Sequence, residues 1–447
     1  MTANSVGVAD ELASTGGHRP LLPSLDPFYR PPGGFATTAP GTILRSRKID
    51  LALFGIIPQQ VSAWQLLYRS CDLHGTPEAA ITTVLLPLGA QPDEDRPLLA
   101  FQTAMDAVSE KCSPSYALRH GAHALGSITQ LEWFLVANAL RRGWAVSIAD
   151  HEGLHGNFGA PREPGYRSLD GIRAALRFAP LGLGPDTKVG VWGYSGGGMA
   201  SSWAVEMAPS YAPELDIVGA VLGAPVGDPQ QVFDRLNGTV YAGFPAIVIA
   251  ALRRLYPALS SLIDHELTPD GHRFVVHAEN STPIGALIGL AKKNVDDLMH
   301  RPLAEVLDTP ELAAMFDDLR LGNTTPACPL LVVQPVHDQV IHMPGIDGQV
   351  ARYRRGGATV TYIRDRLSEH FSLLPLSTPT SLEWIADRFA GKPVRDAGDK
   401  TVWSVAASPS AARGLLEVAV TAAMVALGRP LRQQQPTAPR IASARAA

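Results

Sequence analysis

Short apolar runs bounded by Gly, Pro or charge recur along most of the chain. They occupy residues 81–86 (ITTVLL), 98–101, 145–149 (AVSIA), 189–192, 217–222 (IVGAVL), 330–333 (LLVV) and 360–363 (VTYI). Each has the length and aliphatic character of a strand buried on both faces. Helical periodicity fills intervals between them, for example at 127–142 and 169–178. Strands of this kind alternating with helices predict an α/β protein, with a mainly parallel sheet covered by helices on both faces. The rhythm breaks once. Between Pro225 and Pro326 no run reads as a sheet strand, and apolar helical stretches replace it at 244–263 and 283–299. The expected organisation is therefore a flexible arm over 1–25, a core over 26–225 and 326–400, and a helical cap inserted at 226–325. A C-terminal helix and disordered tail are expected over 401–447, the tail from Arg429, where Gln, Pro, Ala and Arg dominate.

Composition narrows the classes. The chain is 447 residues long, 46% hydrophobic and 18% charged, with a net charge of −4 and no basic cluster. That excludes an electrostatic nucleic-acid surface. Three dispersed cysteines (Cys71, Cys112, Cys328) are too few for a disulfide framework or a metal knuckle. The amino terminus lacks the basic start and apolar core of an export signal, which makes a cytoplasmic location the default. No apolar run reaches the ~20 residues of a membrane span. The best approach to one, 411–427, carries Arg413 and Glu417 and reads as a docked helix with a wet face.

One stretch carries chemistry. GYSGGG, at 193–198, follows the apolar run that ends at Trp192 and precedes MASSWAVEMA, which has helical composition. Strand, G-x-S-x-G and helix in that order form the nucleophile elbow of α/β-hydrolases. Gly193 and Gly197 leave room for a sharp turn through Tyr194, Ser195 and Gly196, and the helix that follows aims its free N–H groups at the serine. The competing reading is a flexible Gly/Ser turn without chemistry.

A serine hydroxyl needs a base, and the base needs an acid to orient it. In this fold they follow the serine in the order acid, then histidine. Asp338 follows the run 330–333, in VHDQV; His370 follows the run 360–363, in RLSEHFS. With thirteen histidines, rivals exist. His337 and His342 flank the candidate acid too closely to be its partner. His151 and His155 precede the serine and read as loop residues near a pocket. Asp347 is the alternative acid, in a segment that reads as the start of a helix.

With these residues placed, the chain resembles the secretory lipase family, the lipase-A-like branch of the α/β-hydrolases, in its actinobacterial form. DPFYRPP (26–32), AWQLLYRSCDLHGTP (63–77), ITTVLLP (81–87), MDAVSEKCSPSY (105–116), GYSGGG and SEHFS (368–372) carry the likeness. The resemblance implies a triad of Ser195, Asp338 and His370, and an oxyanion hole from the N–H groups of Gly196 and Asp106. It implies neither metal nor organic cofactor, and a lipid or small-ester substrate met at a lipid–water interface. An ionised Asp106 would oppose an oxyanion, so its carboxyl either points away or is buried and protonated. Cys112 matches a disulfide position of fungal relatives but finds no partner in the insertion. Family members are often exported, against the default set by the amino terminus.

The expected activity is hydrolysis of acyl esters such as triacylglycerols, with the cap supplying an acyl pocket. An acyltransferase with the same triad and a non-catalytic binding protein on the same fold stay open as alternatives. Gly243, Gly285 and Gly289 interrupt apolar helical sequence at ~1 kcal/mol each against alanine. They mark close approach, either of a neighbouring helix or of a bound acyl chain.

Overall fold

The computed structural model describes residues 19–91, 94–394 and 397–434. Their strands, in chain order, are β1 (Ile43–Lys48), β2 (Leu51–Leu53), β3 (Ile57–Gln59), β4 (Ser62–Cys71), β5 (Pro77–Leu86) and β6 (Leu98–Gln102). They continue with β7 (Ala145–Ala149), β8 (Val189–Tyr194), β9 (Ile217–Gly223), β10 (Leu330–Pro335), β11 (Val360–Asp365) and β12 (Gly398–Val402). Ten form one sheet in the order β1-β4-β5-β7-β6-β8-β9-β10-β11-β12, while β2 and β3 pair separately. From β7 to β12 every pairing is parallel. The first strands pair antiparallel. Every run read as a strand from the sequence lies in this sheet. β1, β4 and β12 were not anticipated, because their charged, polar and aromatic residues do not form a clean apolar run.

Side-chain alternation divides the sheet into two cores. Leu98, Ala100, Val189 and Val191 face one way, onto the helices Glu163–Arg177, Gly196–Tyr211 and Met343–Arg355. Leu99, Phe101, Trp192 and Tyr194 face the other way, onto Ile128–Arg141, His370–Phe389 and Pro409–Ala426. A period of two on strands covered on both faces gives this split directly.

Between β9 and β10 the chain forms the helices Pro229–Leu236, Gly243–Leu252, Pro257–Glu266, Pro269–Asn280, Pro283–Gly289, Leu303–Leu307 and Pro310–Leu319. Most begin with proline, whose missing N–H costs nothing at a first helical position. Side chains of Asp228, Thr268 and Thr282 cap three of them. The helices share a third core, in which Ile247, Ile263, Phe274 and Phe316 meet Phe158, Met199 and Trp203 from the sheet side. A Cβ on Gly243 would lie 2.6 Å from the backbone of Ala286, and one on Gly289 would collide with the His277 ring. These glycines let helices and side chains close on one another, and none of the three is among the residues lining the cavity that reaches Ser195.

Two expectations about the ends need correction. The arm is tied down where it is described: Ser24 donates to Glu110 through both its N–H (2.7 Å) and its hydroxyl (2.8 Å). The expected tail is likewise docked over 429–434, since Leu431 is fully buried and its carbonyl accepts from Leu88 N–H at 2.8 Å. Residues 1–18 and 435–447 lie outside the described residues. The helix Pro409–Ala426 packs on Ile128–Arg141, where Thr421 Oγ1 accepts from Arg141 at 2.6 Å. Among the described residues no single helix is long and apolar enough to cross a membrane. One bent pair, Gly243–Leu252 with Pro257–Glu266 at 117°, is so only when taken together. The three cysteines are free thiols.

Candidate active site

At the carboxyl end of β8 the chain turns through Ser195 into the helix Gly196–Tyr211. Ser195 has φ 54° and ψ −121°, outside the regions that L-residues ordinarily occupy. The turn fits because both flanking glycines lack side chains. A Cβ on Gly193 would run into the carbonyl of Gly197, and one on Gly197 into that of Gln102. Gly196 is the first residue of the helix, so its N–H has no intrahelical acceptor and stays available beside the serine.

His370 reaches this serine from the first turn of the helix His370–Phe389. Its Nε2 lies 3.0 Å from Ser195 Oγ, and its Nδ1 lies 2.9 Å from Asp338 Oδ2. The local sequence explains the placement. Glu369 caps the helix by accepting from Ser372 N–H at 2.7 Å, while Ser372 Oγ accepts from Glu369 N–H at 3.1 Å. Tyr194 OH donates to the His370 carbonyl at 2.6 Å, and Gln339 Oε1 accepts from His370 N–H at 3.0 Å. Asp338 is just as fixed. Its Oδ1 accepts from the N–H groups of Val340 (2.8 Å) and Ile341 (2.7 Å), and its Oδ2 accepts from Gln334 at 3.1 Å.

The rivals lie elsewhere. Asp347 faces away, paired with Arg364 at 2.7 Å. His151 is buried with its Nε2 on the carbonyl of Thr103 at 2.8 Å, and burial pushes its pKa down to about 4, so the ring is neutral. The His155 carbonyl accepts from Arg254. Sequence reading missed Gln334, Gln339 and Glu369, because no local pattern marks a polar residue whose partner comes from another loop.

Asp106 sits opposite the serine with φ 48° and is 2% exposed. A Cβ on Gly196 would collide with its Oδ1, which has no hydrogen-bond partner. Burial pushes the carboxyl up to about 7, against the lowering influence of His370. The expectation that the Asp106 N–H faces an oxyanion needs correction: that N–H is taken by Glu152 Oε1 at 2.9 Å. Ala104 N–H is taken by Glu132 and Met105 N–H by the Thr103 carbonyl, both at 2.9 Å. Ala107 N–H goes to Glu152 at 3.3 Å. With these N–H groups engaged, the group that the loop presents beside Gly196 is the Asp106 carboxyl itself.

From Ser195 a cavity of about 130 Å³ extends among the inserted helices. Val232, Phe244, Val248, Leu312 and Phe316 are among its walls, and among the described residues the only polar side chains lining it are Ser195 and Asp106. An apolar cleft with its few polar groups converging at one nucleophile is the usual form of a small-molecule site.

Residues 118–397 match the family described as secretory lipase. The chain belongs to the secretory lipase family. It is 50% identical, over 93% of its length and 93% of the relative's, to a protein of Mycobacterium tuberculosis named a probable inactive lipase. It is 33% identical, over 92% of its length and 89% of the relative's, to lipase A of Arthroderma benhamiae. The X-ray structure of Candida antarctica lipase A matches with a TM-score of 0.80 at 26% identity, covering 92% of this chain and 98% of that one. The fold of this lipase-family chain is thus the α/β-hydrolase fold. A family described as secretory gives the cytoplasmic default no support.

Proposed function

We propose that this protein is a serine ester hydrolase that cleaves fatty acyl esters, triacylglycerols among them, through an acyl-enzyme on Ser195. The observation that carries this reading is the chain of hydrogen bonds Ser195–His370–Asp338 opening onto an apolar cavity. His370 Nε2 takes the Ser195 proton as Oγ attacks the ester carbonyl carbon. The resulting oxyanion is held by Gly196 N–H and by the protonated carboxyl of Asp106. His370 then returns its proton to the leaving alkoxide, and water enters to release the acid by the same route. The acyl chain lies in the cavity among the inserted helices, away from solvent. A series of p-nitrophenyl esters of rising chain length, with a triacylglycerol emulsion beside it, tests the reading. It is abandoned if the folded protein turns over none of them.

The acyl site makes a specific prediction. Val248 lines the cavity on the helix Gly243–Leu252. Val248→Phe is expected to lower kcat/KM on long-chain esters on the order of tenfold relative to short ones, since a methylene or two in an apolar pocket is worth that much. An equal loss along the whole series would place the acyl chain elsewhere.

Asp106 makes another. The donating form is the protonated one, present below its pKa of about 7 and lost as pH rises through it. The kcat/KM profile should therefore decline above about that pH. Asp106→Ala is expected to reduce kcat on the order of a hundredfold. Asp106→Asn keeps an N–H donor that does not titrate, so its profile should lose the alkaline decline. An alkaline decline that survives in the Asn variant would assign it to another group.

A further inference from the structure

Glu152 follows β7 and is 1% exposed. Its two oxygens accept from the N–H groups of Asp106 and Ala107, the residue facing the serine and the one after it. Two buried carboxyls joined in this way cannot both be ionised without large cost. Hydrogen bonds decide which one carries the charge. Burial and the neighbouring Asp106 push the Glu152 carboxyl well up, but it receives two N–H donors and feels the nearby Arg167 guanidinium, which act the other way and favour its charged form. Asp106 Oδ1 receives no donor and lies against Gly196.

We propose that Glu152 positions the oxyanion donor: its carboxylate holds the N–H groups of Asp106 and Ala107 and carries the charge that keeps the Asp106 carboxyl in its hydrogen-donating form. This rests on the ester-hydrolase reading of Ser195.

The same grip explains two features of the loop. It holds Asp106 at φ 48°, a conformation a non-glycine residue keeps only when its surroundings fix it. It also removes the N–H that would otherwise compete as oxyanion donor. The other groups facing Asp106 act consistently. Glu132, on the helix Ile128–Arg141, holds the Ala104 N–H and is buried; its own carboxyl is pushed up by burial and by Asp106. Burial pushes the Cys112 thiol up to about 12, leaving it neutral. His370 is the facing group whose cation would draw a proton off Asp106. Protonated Asp106 with ionised Glu152 is thus the form poised for attack.

Glu152→Gln tests this, because an amide oxygen accepts from one N–H and carries no charge. The alkaline decline of kcat/KM is expected to move to lower pH by about one unit or more, so the loss relative to the parent grows about tenfold between pH 6 and pH 9. In an Asp106→Asn background the same substitution should displace nothing. A loss uniform in pH, or a displacement that persists without Asp106, would leave Glu152 a purely structural residue. In the unsubstituted protein, ¹³C-carboxyl NMR should show Glu152 ionising at lower pH than Asp106, and the reverse order would overturn the proposal. That titration needs no turnover. It stands apart from failure of the hydrolase reading, which would show instead as an unreactive Ser195.

Discussion

Ser195→Ala is expected to lower ester turnover by about a thousandfold or more, with the melting temperature little changed. Serine, base and acid act as one unit, so removing the nucleophile removes the whole covalent path. What remains is the hydrolysis by water that the oxyanion donors and the apolar site still assist. The fold should tolerate the change, since Ser195 Oγ touches only His370 in the network of hydrogen bonds around it. The backbone turn is held by Gly193 and Gly197, and Ser195 N–H donates to the Gly223 carbonyl at 2.9 Å. Steady-state kinetics on a soluble ester, with thermal melting alongside, checks both halves. A loss of only a few-fold would mean that another group attacks the ester.

Asp338→Asn should cost on the order of ten-thousandfold in kcat, whereas Asp347→Asn should change it by no more than about a few-fold. Asp338 accepts four hydrogen bonds: two from backbone N–H groups, one from Gln334 and one from His370 Nδ1. An asparagine amide cannot accept at both of its ends. It either loses the loop that Val340 and Ile341 anchor or turns an N–H toward His370, which then carries its proton on the wrong nitrogen. Asp347 pairs with Arg364 in a half-exposed position, where an ion pair is worth little. Comparable losses from the two substitutions would assign the orienting acid to the wrong loop.

These residues were legible in the sequence for a physical reason. A nucleophile elbow needs glycines at fixed offsets from its serine, and strand-end loops impose an order on acid and base, so the requirement is written locally. The residues that tune the site were not legible. Glu152 meets Asp106 across 46 positions of sequence, and Gln339 meets His370 across 31. Nothing within either segment separates such a residue from an ordinary loop polar group. The same holds for the ends. One buried side chain, Leu431, and a pair of hydrogen bonds from Ser24 dock segments whose composition reads as loose. The glycines of the insertion were ambiguous because composition reports close approach without naming the neighbour. The backbone of Ala286 proves to be that neighbour for Gly243.

A 50% identical relative bears the name of a probable inactive lipase, so the reactivity of Ser195 is the central claim to test. Only an activated serine attacks the phosphorus of a fluorophosphonate and displaces its fluoride, and the adduct can be located by mass spectrometry of the intact protein and its peptides. The geometry of Ser195, His370 and Asp338 predicts one adduct per chain, on Ser195, abolished in Ser195→Ala and strongly slowed in Asp338→Asn. A folded protein that takes up no label, or takes it up on Ser201 or Ser202, would contradict the account.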